Sequence, residues 1–283
     1  MIAGRDGLIF KIIPKYQLII NISMLHVVTF ATDSSRLQYL KETAKLKNLE
    51  IHYIMKTKWN GFFDKILYTR EFLSTIDDND IVCFIDAYDV LSLSSSDEII
   101  SKFKLYDCDL LLGSEINSFP EKYKSQYPIS ETYTTNSLYV NSGGYIGYKH
   151  AIMNLMTWKD DTEILSICSD GSDQAYFIEY YLNNIGHGVK LDTFQKIFQN
   201  MYFVSWNEFY IHKGRFVNVV LNERPCFMHF NGHSSRTLSW YNILPEIINK
   251  LQASVSDSNI YTLHEFKQNQ YDSYFSHKQI NDT

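Results

Sequence analysis

A chain of 283 residues that is 45% apolar and 15% aromatic carries enough hydrophobic material for a sizeable core, as one large α/β domain or two small ones. Its formal net charge of −6, with no long basic cluster, excludes a surface built for the phosphates of nucleic acid. Four cysteines (Cys83, Cys108, Cys168 and Cys226) lack any paired spacing and read as buried thiols, so neither a disulfide framework nor a zinc site is expected.

Leu8 to Ile22 is fairly apolar, but Lys11, Pro14, Lys15 and Gln17 break it. It is too interrupted for a membrane span and has no small-residue cleavage site of the signal-peptide kind. Residues 1–23 therefore read as an appendage, with Met1 or Met24 as the working start. No other run approaches membrane length, so the expectation is a soluble protein, cytoplasmic by default.

From Leu25 the chain alternates strand-like and helix-like patterns. His26 to Ala31 is a strand, and Thr32-Asp33-Ser34-Ser35 is a polar turn that caps a helix running to about Lys47. Leu49 to Met55 alternates as a second strand. Gly61 to Ile76 places Phe62, Phe63, Ile66, Leu67, Leu73 and Ile76 on a helical face. Ile81 to Ile85 is wholly apolar and reads as a strand buried on both faces. Ser95-Ser96-Asp97-Glu98 opens another helix, and Cys108 to Gly113 is the next buried strand. Strand, helix, strand, helix, strand is the signature of a parallel α/β sheet. The first strand lacks any GxGxxG or GxxxxGK loop, so a nucleotide diphosphate would have to be held by a metal.

Asp86 and Asp89 stand where the strand Ile81 to Ile85 ends, the edge at which open α/β sheets bind ligands. Two acids there repel each other unless a cation intervenes, and a divalent metal carrying a diphosphate is one solution. Polar residues that merely end a strand and turn the chain are the other. Farther on, Ser137 to Tyr148 is a strand interrupted by Gly143-Gly144, which mark a bulge or a close approach of a ligand, or else a plain turn. Ser169 to Asn184 becomes a helix whose start holds Asp173, for which an N-cap role suffices locally. Arg224 to Arg236 puts His229 at the end of a short strand, and Asp/Asp/His suits Mn²⁺. A lone histidine serves as readily as a hydrogen-bonded core residue, and nothing local ties it to Asp86.

The order of these segments, IDAYDV, VNSGGYIG, SDQAYF, LDTFQKIFQN and CFMHFNGH, resembles the glycosyltransferase domain of procollagen lysyl hydroxylase–glucosyltransferases and the related collagen galactosyltransferases. The resemblance runs from about Leu25 to Asn242. It implies a GT-A type, Rossmann-like α/β fold with a mixed, mainly parallel central sheet. A division follows into an appendage (1–23), a glycosyltransferase domain (24–250) and a polar C-terminal extension (251–283). The extension either packs on the domain or mediates self-association as a homodimer.

By resemblance, Asp86, Asp89 and His229 hold a catalytic Mn²⁺, and Asn231 and Gly232 face the diphosphate of a UDP-sugar. Asn141, Ser142, Gly143 and Gly144 line the donor sugar, and Asp173 stands near its anomeric carbon. Trp59, Asn60 and Lys65 resemble a donor-side loop and lysine. Trp59 and Tyr88 are candidates for stacking on uracil or sugar, and equally for core; Arg236 is a candidate for added charge at the diphosphate, and equally for a surface salt bridge. Two departures stand out: the acid-rich run before the aspartate-glutamine pair is thinned to SDGSD, and the turn after the histidine carries Phe230. The implied activity is Mn²⁺-dependent transfer of glucose or galactose from a UDP-sugar to hydroxylysine or galactosyl-hydroxylysine of a collagen-like chain, in a secretory lumen. Transfer to another glycan, lipid or small acceptor stays open, as does a silent sugar-nucleotide-binding module.

Overall fold

The computed structural model describes residues 23–128, 135–169, 172–232, 234–257 and 259–263, with side chains 233–242 left out of the description. The strands in chain order are β1 (Leu25–Ala31), β2 (Ile51–Met55), β3 (Ile81–Ile85), β4 (Val90–Ser92), β5 (Leu110–Glu115), β6 (Tyr139–Tyr148), β7 (Val189–Leu191), β8 (Phe198–Asn200), β9 (Phe209–His212), β10 (Arg215–Asn218), β11 (Phe227–His229) and β12 (Tyr261–Thr262). The helices are α1 (Gln38–Leu46), α2 (Phe63–Leu73), α3 (Ser96–Leu105), α4 (Lys149–Met156), α5 (Asp161–Cys168), α6 (Gln174–Asn183) and α7 (Ser234–Ser256).

Among the described residues one large sheet runs β2-β1-β3-β6-β5-β8-β11-β4, with β7 beside β5. The β2/β1/β3 and β5/β8/β11 pairings are parallel, while β6 runs antiparallel to both β3 and β5, and β4 antiparallel to β11. The sheet is thus mixed and mainly parallel, the α/β arrangement expected from the sequence. Period-two alternation along the buried strands sorts its two faces. Val82 and Phe84 point into a layer with α2, α4, α5 and α6 through Ile66, Ile152, Ile164 and Phe177. Ile81, Cys83 and Ile85 point into the opposite layer with α1 and α3 through Leu40, Ala44, Ile99 and Phe103. Burying each such large apolar side chain is worth about 1.5–3 kcal/mol, which is why a five-residue strand without a charged side chain takes the middle of the sheet. A small sheet, β10-β9-β12, packs with α7 as a third cluster through Phe209, Ile211, Phe216, Leu244 and Leu251.

Several sequence expectations are corrected in detail. The segment around Gly143-Gly144 runs as one strand against β3, but against β5 it bulges: the register steps from Leu112 opposite Tyr145 to Gly113 opposite Asn141, so Ser142, Gly143 and Gly144 are the extra residues. The buried strand expected from Cys108 starts at Leu110, and Cys108 itself is half-buried while the other three thiols are buried. Helices α4 and α5 went unread, although α5 opens on a capping box in which Asp160 and Glu163 satisfy each other's backbone N–H groups. No helix among the described residues is long and apolar enough to cross a membrane. Residues 1–22 of the expected appendage, and 264–283 of the extension, lie outside the described residues.

Candidate active site

Three strand ends meet at the two acids. β3 stops at Ile85, and Asp86 N donates to Gly143 O of β6 at 2.8 Å. β4 starts one residue after Asp89 and pairs with β11, setting Val90 opposite His229, while Phe230 N donates to Asp89 O at 2.9 Å. That antiparallel pairing carries a histidine from the far half of the chain to the acids. His229 Nε2 lies 3.6 Å from Asp86 Oδ2 and 3.5 Å from Asp89 Oδ2. One ligand atom from each of the three falls within 4.8 Å of the others, an arrangement found once among the described residues.

The residues fit a divalent cation. Ligands of one ion, each about 2.0–2.2 Å from it, stand roughly 3–3.5 Å apart, close to the spacing seen. Two carboxylates and an imidazole are donors that Mn²⁺ accepts. Burial works against the imidazolium of His229, but the Asp89 and Asp86 carboxylates outweigh it and raise its pKa above the ordinary histidine value. Positive charge is favoured at this point. The space is kept open by a missing side chain: a Cβ on Gly143 would stand 2.1 Å from His229 Cε1 and 2.7 Å from Asp86 Oδ2.

Asp173 faces the same point from α6. It occupies the N-cap position, yet its side chain caps nothing. Instead Asp173 Oδ2 lies 2.9 Å from Lys65 Nζ, and Ser142 Oγ donates to Oδ1 at 3.0 Å. The local expectation of an N-cap is therefore replaced by a tertiary role. Lys65 also sits 2.9 Å from Asp86 Oδ1, so one buried ammonium ties Asp86 to Asp173. Burial disfavours the charged form of Lys65, but Asp173 and Asp86 overcome that and hold it above the usual lysine range. Burial pushes the Asp173 carboxyl up, with Lys65 opposing.

Two functional neighbours escaped the sequence reading. Glu115, at the end of β5, is 4% exposed and accepts from three amides: Asn141 Nδ2 at 3.1 Å, Gln174 Nε2 at 2.9 Å and Asn231 Nδ2 at 2.8 Å. These come from three different motif segments, so one carboxylate holds them in register. Burial raises the Glu115 pKa, and the amides from Asn141 and Gln174 pull against it. An acid closing an otherwise non-ionisable strand, LLLGSE, repeats the pattern of Asp86 and was the available signal. The other neighbour is Asn200, whose Oδ1 lies 2.7 Å from His229 Nδ1.

Residues 21–253 match the family model described as PLOD GT domain, which is more than half of the chain. The chain belongs to this glycosyltransferase family. As a PLOD GT domain it is 30% identical over 170 residues to a procollagen-lysine,2-oxoglutarate 5-dioxygenase of Drosophila melanogaster, covering 57% of this chain and 22% of that protein. It is 29% identical over 241 residues to a multifunctional procollagen lysine hydroxylase and glycosyltransferase of Caenorhabditis elegans, covering 76% and 31% respectively. The chain thus spans a third or less of the length of these relatives. A solved glycosyltransferase involved in glycosylation of the PBCV-1 major capsid overlays with a TM-score of 0.47 at 11% identity, over 77% of this chain and 99% of that one.

A cleft of about 420 Å³ runs from the acids of this PLOD GT domain along the end of β1. Trp59 and Tyr88 both line it, with Lys65, Asp86 and Asp89. Trp59 is 43% exposed and meets Phe62 edge-on, so it stands at the surface of the cleft and not in the core. Tyr88 is tied down: its hydroxyl accepts from Thr32 N at 2.7 Å and Asp33 N at 2.9 Å, and the Arg36 guanidinium covers its ring at 4.1 Å. Asn60 N donates to Asp64 Oδ2 at 2.7 Å, which anchors the loop carrying Trp59. Asn141 Oδ1 accepts from Gly143 N at 2.9 Å, so that amide shapes the turn around the acids. Asn231 Oδ1 accepts from Met201 N and Tyr202 N, and Gly232 has φ +127° with a Cβ position 2.4 Å from the Tyr202 ring, where only glycine fits. Phe230, bulky where the resemblance has glycine, is buried near Trp206 in the third core cluster. Gly144 backs onto Phe198, whose ring a Cβ would meet at 2.6 Å. The Arg236 side chain, Asp170 and His233 lie outside the described residues.

Gly143→Ala is the sharpest steric probe of this PLOD GT domain. The methyl group has to displace His229 or Asp86, so, with a divalent cation held between those residues, the substitution is expected to weaken metal binding and cost about 1–3 kcal/mol of stability. Metal titration together with thermal melting checks both, and an alanine variant with unchanged metal affinity would show that the glycine is not what keeps the space open.

Proposed function

We propose that this domain is a Mn²⁺-dependent hexosyltransferase that moves glucose or galactose from a UDP-sugar to the hydroxyl of hydroxylysine or galactosyl-hydroxylysine in a collagen-like chain. The observation that carries it is the convergence of Asp86, Asp89 and His229 on one point at the mouth of a cleft with aromatic walls. Asp86 Oδ2, Asp89 Oδ2 and His229 Nε2 would hold the cation. When bound, it supplies positive charge to the departing diphosphate, commonly the largest share of catalysis in such a displacement.

The chain's own residues do the rest. The exposed ring of Trp59 offers a flat face on which a base would stack, and Tyr88 lines the same cleft with Arg36 over its ring. Glu115 fixes the amides of Asn141 and Asn231 in place beside the two acids. Both oxygens of Asp173 are already engaged by Lys65 and Ser142. That favours electrostatic support of positive charge on the sugar over a role as proton acceptor.

Incubation with UDP-glucose, UDP-galactose or UDP-N-acetylglucosamine, with and without Mn²⁺, is expected to release UDP from one hexose donor only when metal is present. Release should rise when galactosyl-hydroxylysine or hydroxylysine peptides are added. Binding of UDP-sugar without turnover would instead mark a silent binding module.

A further inference from the structure

His229 is gripped from behind as well as faced by acids in front. In the register of β8 and β11, Asn200 stands directly opposite His229 on the neighbouring parallel strand. The Asn200 side chain is buried, with Oδ1 2.7 Å from His229 Nδ1 and Nδ2 2.8 Å from the main-chain oxygen of Ser114. A carbonyl oxygen only accepts, so the amide nitrogen has to be the end that faces Ser114. The amide oxygen then faces the imidazole, and because it too only accepts, His229 Nδ1 has to donate. In the neutral ring the proton therefore sits on Nδ1 and the lone pair on Nε2, the nitrogen between Asp86 and Asp89.

The acids on their own would select the opposite tautomer. Two carboxylates about 3.5 Å from Nε2 attract an N–H there, which would occupy the position a cation needs. Something has to oppose them, and the Asn200 amide is built to do so. Flipping it would set oxygen against the Ser114 carbonyl and N–H against Nδ1. Its backbone is anchored as well, with Asn200 N donating to Gln195 Oε1 at 2.9 Å.

We propose that Asn200 is a positioning residue that holds His229 in the Nδ1–H tautomer and thereby presents the Nε2 lone pair to the cation. The cation half of this rests on the function proposed above, whereas the tautomer half stands on the metal-free chain. Partners of metal-ligating histidines of this kind are worth about 10–100-fold in metal affinity.

The test uses the full chain labelled with ¹⁵N-histidine, free of metal, at a pH alkaline enough to keep the ring neutral. His229, assigned by its absence in His229→Gln, is expected to show a protonated Nδ1 and an unprotonated Nε2. Asn200→Ala should move the proton toward Nε2 and weaken Mn²⁺ binding by about 10–100-fold in calorimetry. A wild-type ring protonated on Nε2 overturns the proposal, and that reading needs no variant to fold. An unchanged tautomer in Asn200→Ala overturns it equally. If wild type shows the Nδ1–H signature but binds no Mn²⁺, the metal reading falls and the tautomer assignment stands.

Discussion

Asp89→Asn is expected to lower Mn²⁺-dependent UDP release by at least about 100-fold, since a bound metal supplies several kcal/mol of charge stabilisation, while leaving the melting temperature unchanged or slightly raised. Asp89 is the cleanest ligand to remove. Its backbone oxygen keeps the bond from Phe230 N, so the β3–β4 turn survives. Its side chain faces His229 and the neighbouring Asp86 across the point where a cation would sit. In the metal-free chain, two carboxylates there repel each other, and neutralising one relieves the strain. Asp86 offers no such separation, because it also pairs with Lys65 at 2.9 Å and its loss would disturb Asp173. UDP release at saturating Mn²⁺, with a thermal melt of the metal-free protein, checks both halves. Activity retained in Asp89→Asn would remove Asp89 from the metal site and with it the proposed mechanism.

What could be read from the sequence divides along chain distance. IVCFI announces a central strand because burial on both faces leaves no polar position, and DAYD follows within the same few residues. The glycine pair was legible as a close approach, but what approaches was not. Gly143 makes room for His229 and Asp86, and Gly144 for the ring of Phe198, all contributed by other strands. Asp173 misled local reasoning for the same reason. It sits where an N-cap belongs, and only the fold of α2 beneath it supplies the lysine that claims its side chain. His229, Asn231 and Asp173 entered through the order of motifs shared with a family, not through spacing. Glu115 had no such introduction, and Asn200 entered only as the last residue of LDTFQKIFQN, with no role attached. Their partners lie on other segments of the sheet and its loops, and a strand ending in Glu, or an IFQN tetrapeptide, says nothing about which carbonyl or ring will lie beside it.

Lys65→Met should be the most damaging single substitution in the cleft. Methionine matches the length of the lysine stem but leaves Asp173, 3% exposed, without its cation. Breaking a buried ion pair from one side costs about 3–5 kcal/mol, because the surviving charge keeps its desolvation penalty and loses its compensation. The carboxyl of Asp173, already pushed up by burial, would meet that cost by taking a proton. Protonated, it can no longer support positive charge on a sugar, so turnover should fall together with the melting temperature. The double substitution Lys65→Met/Asp173→Asn separates the two losses. It removes the orphaned acid, so most of the lost stability should return, while turnover stays at the level of the single variant. Recovery of turnover along with stability would mean that the pair serves the fold alone. Stability restored without turnover would place the Lys65–Asp173 pair in the chemistry.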